Sequence, residues 1–578
     1  MAPHRPPTAV KAPAHQFPFS MPCPGNCLTV SNMDTVFVLG VPILCILCFS
    51  AVQSTAADMT TSAIVSLVST EVISTLQPTY ASWNIDSSCN RGFHHTNFSN
   101  PNLVAAASGL YPSRLRFGGS GNDYLVYGLS PGSPECAALT PERCSYFTSG
   151  CLNSSHWEEL YSLAQQSRSD FIFGLSFGLA QGCAEGAAYK WNSTNAASLL
   201  AYLNTHGQAL YGFELGNEIN NCLSGTAKGY GTCNIDDKPC PIAAKQQADA
   251  LVDLANMLSH ALPNAVVIGP DTGGASPKEW LEALLPLVQS AKLHAVTHHV
   301  YNGISRTTFN SSKQLDSPLP EISWYTSVLS QLAPTAQVWA GENGPTGGGD
   351  DGTCGTHSVC GTFASTLWYA DDMALRAKHG FVQYQRQDLF GGAYGLTNSL
   401  DSNMALGATE AVVIRPDYWT NFLWKRLLGP NMLNATSSSA TVRAYAFTGS
   451  PASPYAAPEC GASTSTLQLL LVNLAGTPMQ VSLPSPPSRR LQTPLGSPPA
   501  PAHLSPASNY AAWTLSPAEQ DPFSQIALLN GSPLPLTVDR SQVDPAAFLR
   551  GIVQPPVRHP VQDGILLAPL STSFVCYY

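Results

Sequence analysis

Charge is scarce in this chain of 578 residues: Asp, Glu, Lys and Arg together make up 11%, where about a quarter is usual. So little charge excludes a coiled coil or a long solvated disordered tail, both of which depend on it. The formal net charge is −10, which speaks against a general nucleic-acid binder, since that needs a basic face. Other absences remove whole chemistries. No Gly-rich dinucleotide fingerprint opens a helix after the first strand, and GGSGND at 118–123 has the wrong spacing for one. Ser120 and Ser176 lack the nucleophile-elbow pattern of a serine hydrolase. The cysteines match no zinc template and have no histidines interleaved as ligands.

What is present suggests export. Residues 35–52, TVFVLGVPILCILCFSAV, are apolar and are followed by small residues. This is the shape of a signal peptide with Met33 as an alternative start; the other reading is a retained signal anchor. Four of the 16 cysteines (Cys23, Cys27, Cys45, Cys48) lie in or before that segment. The even remainder reads as disulfides in loops. N-x-Ser/Thr sequons at Asn97, Asn153, Asn192, Asn310, Asn434 and Asn530 then become candidate glycan sites. The expected location is the secretory pathway, ending outside the cell, in the cell wall, or in a vacuole or lysosome. Membrane contact is expected only if residues 1–57 are kept as an anchor.

From residue 82 to 410 β-rich runs alternate with helical patterns. The runs are SWNI (82–85), RLRFGG (114–119), FIFGLSF (171–177), GFELGNE (212–218), AVVIGPD (265–271), AVTHHVY (295–301), QVWAGEN (337–343) and FVQYQRQ (381–387). Helical patterns cover 156–167, 245–262, 277–290 and 362–380. Eight parallel βα units predict an α/β fold, a (β/α)8 TIM barrel. Within the last helix, Asp371 and Asp372 read as its solvated face. From 411 to 578 strand-like runs predominate, predicting an appended C-terminal β-sandwich with a Pro/Ser-rich insertion at 484–506. The apolar stretch within 58–81 is expected to join that sandwich.

Barrel enzymes place their chemistry at the C-terminal ends of the strands. Two glutamates each close an apolar run there, Glu218 after YGFELGN and Glu342 after QVWAG. They fall on the fourth and seventh strands, which face one another over a substrate. Paired carboxylates are what glycoside hydrolysis requires, one protonated to release the leaving group and one ionised to attack the sugar or activate water. An acid at a partly apolar strand end beside another carboxylate is expected to have a raised pKa. Of His298 and His299, one is expected to be a core histidine bonded to a barrel carboxylate. No third ligand completes a metal site, and no cofactor is expected. Glu214 reads as structural.

The ordered set RLRFGGSGND, FELGNEIN, VVIGPD, VTHHVYNG, VWAGENGPTGGG and LFGGAYGL resembles the heparanase-like family of retaining β-glucuronidases, glycoside hydrolase family 79. The likeness covers roughly residues 80–430, and GCLNSSHWEEL at 150–160 is more similar to plant-type members. It implies Glu218 as acid/base and Glu342 as nucleophile, with Asn217 on the sugar 2-hydroxyl and Tyr301 orienting the nucleophile. It implies Tyr394 and the backbone of Gly347, Gly348 and Gly349 as the clamp for a glucuronate carboxylate. It also implies Asp86 as a contact to a sugar hydroxyl, and His299, or its neighbour His298, as lining the same subsite. The implied partner is a glucuronide-containing polysaccharide or proteoglycan glycan, not a nucleic acid. Ile219 stands where animal heparanase has proline, and no Lys-rich run flanks the first barrel loops; both features point away from sulfated heparan. The alternatives are a catalytically inactive glycan binder and a glycosidase for a neutral sugar such as a xyloside or arabinofuranoside, which would need no carboxylate clamp.

Overall fold

The computed structural model describes residues 61–578 apart from 89–92, 130–149, 178–189, 225–233, 236–237, 240–241, 275–276, 348–357, 401–404, 462–466, 486–506 and 540–554. The leader segment and nearly all of the Pro/Ser-rich insertion therefore lie outside the described residues.

The eight expected runs are the eight strands of one parallel sheet. They are β1 (Ala81–Asp86), β2 (Arg114–Gly118), β3 (Asp170–Leu175), β4 (Gly212–Leu215), β5 (Val266–Val267), β6 (Ala295–Tyr301), β7 (Gln337–Gly344) and β8 (Gln383–Arg386). Their order is β5-β4-β3-β2-β1-β8-β7-β6. Parallel bridges Ile268–Ala295 and Thr272–His298 join the two ends of that order and close the barrel. Strands in such a sheet are covered on both faces, which is why they read as apolar runs rather than as alternation. Trp83, Leu115, Phe117, Phe173, Leu215 and Ala340 are all fully buried.

Helices fall between the strands where periodicity places them, at Ser154–Ser167, Ala244–Ala261, Pro277–Leu284 and Phe363–Lys378. Asn153 caps the first of these, its side chain accepting from the His156 N–H at 2.8 Å.

The tail forms antiparallel sheets. Val442–Thr448, Gln468–Asn473, Ser571–Tyr577 and Asn509–Pro517 are successive neighbours. The strand ahead of the barrel, Thr61–Thr75, lies antiparallel to Asn431–Ser437 and parallel to Met479–Ser482. It turns Ala63 and Val65 inward and Ile64 and Val68 outward, the two-residue period of a strand buried on one face. A disulfide, Cys460–Cys576, fastens the last strand.

The helix Phe363–Lys378 corrects one expectation. Asp371 and Asp372 do not face solvent; both are buried, because this helix has the barrel on one side and the tail strands on the other. Asp371 accepts from Arg443 Nε at 2.8 Å and from the Tyr445 hydroxyl at 2.6 Å, both on a tail strand. Asp372 accepts from the Tyr384 hydroxyl at 2.7 Å and from Arg376 Nε at 3.2 Å. Buried carboxylates are tolerated only when paired in this way.

Candidate active site

β4 ends at Leu215, and the backbone then turns sharply. Gly216 has φ +79° and Glu218 itself has φ +53°. A glutamate in the left-handed region is uncommon and costs strain, a recurrent feature of functional positions. The Glu218 N–H donates to the Asp271 carbonyl at 2.9 Å, which ties this turn to the end of β5. Room for the side chain comes from Gly273: a Cβ there would sit 2.3 Å from Glu218 Cδ. Glu342 lies inside β7, beside His299 of β6 in the strand register.

These three residues meet. Glu218, His299 and Glu342 each offer one donor atom, and all three atoms lie within 4.8 Å of one another. His299 Nδ1 is 3.1 Å from Glu218 Oε1 and 3.8 Å from Glu342 Oε2, and Nε2 is 3.5 Å from Asp271 Oδ1. Arg116, on β2, is the other cation. Its Nε donates to Glu214 Oε2 at 2.7 Å, Nη1 to Glu342 Oε2 at 2.7 Å and Nη2 to Asn217 Oδ1 at 3.1 Å. Its Nη2 also lies 3.6 Å from Asp271 Oδ2. The donor types of the triad are those of a metal site, but the set does not suit a resident ion. Arg116 already donates to Glu342, and the imidazole faces both glutamates.

Electrostatics follow from that geometry. Burial works against charge on the His299 ring, yet the surrounding carboxylates of Glu342, Asp271 and Glu218 raise it to about 10. Burial would raise Asp271 too, but Arg116 and His299 bring it down to about 2. Glu214, deeper in the cluster, is pushed up to about 8, chiefly by burial and against the pull of Arg116. Glu218 departs from expectation. Burial favours its neutral form, but the hydrogen bond and charge of His299, the Asn221 amide and Arg116 outweigh that and hold it below the usual carboxylate range. The anticipated elevation is absent because an imidazole, not only a second carboxylate, stands beside it. Asp123 is raised to about 7 by burial, although the N–H groups of Asn217 and Phe177 oppose the shift.

The other expected residues gather around this centre. The Tyr301 hydroxyl donates to Glu342 Oε1 and lies 3.4 Å from the Tyr394 hydroxyl. Asn217 Nδ2 faces Ser120 Oγ at 3.3 Å, and its backbone N–H donates to Asp123 Oδ2 at 3.0 Å. Asp86 closes β1 and accepts from Gln387 Nε2 at 2.6 Å and from the Ser88 N–H at 2.7 Å. His298 points away from the pair of glutamates: its Nδ1 meets the Thr272 carbonyl at 2.8 Å, and Nε2 lies 3.5 Å from Glu321. A Cβ at Gly347 would lie 3.9 Å from Tyr301 Cβ, whereas Gly348 and Gly349 lie outside the described residues. Among the sequons, Asn153 and Asn310 are exposed, and Asn97, Asn192, Asn434 and Asn530 are partly so. The Asn530 amide donates to the Pro555 carbonyl at 3.1 Å.

Sequence reasoning missed Arg116 and Gly273. Arg116 carried a readable signal, a charged residue within the apolar run of a barrel strand, which demands a buried anion as partner. Gly273 carried none, since its neighbour is fixed only by the turn after β4.

The family model described as "Glycosyl hydrolase family 79, N-terminal domain" matches residues 79–374. The heparanase-like protein 2 of Arabidopsis thaliana is 27% identical over 514 residues, covering 83% of this chain and 85% of that protein. The baicalin-beta-D-glucuronidase of Scutellaria baicalensis is 25% identical over 574 residues, covering 92% and 95%. Among solved structures, an arabinofuranosidase superposes with a TM-score of 0.58 at 12% identity, covering 89% of this chain and all of that one. At that identity the likeness concerns the fold alone.

Proposed function

The chain belongs to glycosyl hydrolase family 79 and is a glycosidase, and we propose that it hydrolyses β-glucuronides with retention of configuration, through a glycosyl-enzyme on Glu342. The observation that carries this is the separation of the two glutamates. One oxygen of each lies within 4.8 Å of the other, nearer the roughly 5–5.5 Å of retaining enzymes than the about 6.5–9.5 Å across which inverting enzymes hold a water.

Arg116 and Tyr301 both donate to Glu342, which holds its carboxylate in place and aimed for attack on the anomeric carbon. Glu218 delivers a proton to the glycosidic oxygen as that bond breaks, then takes one from the water that releases the sugar. Asn217, with Oδ1 fixed by Arg116, presents its amide to the 2-hydroxyl, where contacts strengthen at the transition state. Asp86 borders the same subsite, while the His299 ring, fully shielded, lies behind the two glutamates.

Glucuronide as the sugar is supported by Tyr394 beside Tyr301, by the Gly-rich sequence at 347–349, a composition whose amides can approach an anion, and by a relative whose name states glucuronidase activity. Sequons and a leader of signal-peptide shape support passage through the secretory pathway, with a cell-surface, wall or vacuolar glycan as substrate. Among the described residues no helix is long and apolar enough to cross a membrane.

The test is turnover of p-nitrophenyl β-D-glucuronide against the matching β-D-glucoside. Preference for the glucuronide is expected, with Glu218→Gln and Glu342→Gln each losing at least a hundredfold in kcat at unchanged melting temperature. Equal activity on both sugars would overturn the specificity, and full activity in either variant would overturn the assignment of roles.

A further inference from the structure

The cluster behind the two glutamates holds a carboxylate to which the proposed reaction gives no role. Asp271 is 1% exposed, and neither of its oxygens makes a hydrogen bond of normal length. Buried carboxylates kept for structure are hydrogen-bonded. This one is held near two cations, 3.5 Å from His299 Nε2 and 3.6 Å from Arg116 Nη2. Its contribution is therefore its charge, which falls on Arg116, on the His299 ring and on the neighbouring Glu214. That ring is completely shielded from solvent, with Glu218 and Glu342 at Nδ1 and Asp271 at Nε2. Arg116 and the neighbouring His298 are the groups that oppose a positive ring. Three carboxylates against these make the imidazolium the stable form of the empty site.

We propose that the proton Glu218 delivers to the leaving group is stored between turnovers on His299, and that Asp271 is the positioning residue that keeps it there. This rests on the family reading of Glu218 and Glu342. In the first half-reaction the imidazolium passes the proton on Nδ1 to Glu218 Oε1, leaving a neutral ring. Glu218 gives that proton to the glycosidic oxygen as the C–O bond breaks and its electron pair departs with the aglycone, while Glu342 bonds to the anomeric carbon. Esterified Glu342 no longer carries charge, so the ring loses one of its three anions and stays neutral, leaving Glu218 ionised as the base. In the second half-reaction water attacks the anomeric carbon, Glu218 takes the water's proton, and Glu342 leaves as a carboxylate. The restored charge on Glu342 draws the proton back from Glu218 to Nδ1. An acid held below the usual carboxylate range thus still has a proton at hand, one hydrogen bond away.

Activity then depends on one proton shared by His299 and Glu218, and the alkaline limb of the kcat/KM profile reports its loss. Asp271→Asn removes one anion from the ring, so that limb is expected to move to lower pH by about one to three units. A purely structural role for Asp271 would lower activity at every pH and leave the limb in place. His299→Gln is expected to lose far more activity on an alkyl β-glucuronide, whose leaving group needs the proton, than on 2,4-dinitrophenyl β-glucuronide, whose leaving group does not. Should Asp271→Asn fail to fold, the wild-type protein decides: ¹⁵N imidazole spectra at pH 8.5 are expected to show one doubly protonated ring, absent in His299→Gln. An unmoved limb in a folded Asp271→Asn variant, or a neutral His299 ring at that pH, overturns the proposal. Absence of turnover on any glucuronide would instead refute the substrate reading, and the spectra would still decide the storage claim.

Discussion

Arg116→Met would remove the one guanidinium that Glu214, Glu342, Asp271 and Asn217 share. In the wild-type protein it makes two 2.7 Å ion pairs and a third at 3.6 Å, with 1% of its side chain exposed. Breaking a buried pair from one side leaves an uncompensated charge and costs about 3–5 kcal/mol. Unfolding entropy near 2.1 cal/mol/K per residue across residues 59–578 converts this to roughly 3–5 °C in melting temperature at pH 7. The loss depends on pH in a defined direction. Asp271 is held down at about 2, so its contribution is complete above its ordinary unfolded value and is lost as pH falls through the folded one. The share of the gap that comes from Asp271 is therefore full at neutral pH and narrows toward pH 2. Arg116→Lys should recover part of the stability but not the activity, because an ammonium supplies charge without the fork that reaches Glu214, Glu342 and Asn217 together. Thermal melts followed by fluorescence between pH 3 and 8, with kcat measured alongside, test all three statements. A melting temperature within a degree of wild type across that range would refute the view that Arg116 neutralises the cluster.

Two smaller perturbations follow from single contacts. Tyr301→Phe removes the hydroxyl that donates to Glu342; a hydrogen bond to a charged group is worth about 1.5–3 kcal/mol, so kcat should fall roughly tenfold to a hundredfold, with KM little changed in steady-state assays. The Cys460–Cys576 bond closes a separation of 116 residues. The double variant Cys460→Ala/Cys576→Ala should lose about 2–4 kcal/mol, seen as a melting temperature lower by a few degrees in the oxidised protein.

The barrel was legible because each of its strands is buried on both faces, so that runs such as FIFGLSF and AVTHHVY stand out without alternation. The pairing of Glu218 with Glu342 followed from strand order alone, since both close such runs. What sequence could not supply were partners fixed by turns and by the second layer. Asp371 and Asp372 looked solvated because a helical pattern records one buried face and cannot record that tail strands cover the other. Sequence alone predicts a raised pKa for Glu218 because it shows only a second carboxylate, Glu342, as its neighbour. His299, fixed beside it by the register of β6 on β7, reverses the sign. Arg114 and Arg116 share the period-2 face of one strand yet have different surroundings. Arg114 stacks over Tyr211 and near Trp339, while Arg116 reaches the glutamates, and only three-dimensional placement separates the two.

The central claim is a covalent sugar on Glu342. Incubation with 2-deoxy-2-fluoro-β-D-glucuronosyl fluoride, followed by proteolysis and mass spectrometry, tests it most directly. One sugar per protein is expected, on the peptide that contains Glu342, with no label in Glu342→Gln. Label on Glu218, or an unlabelled protein that releases the inverted anomer of a normal substrate, would contradict it.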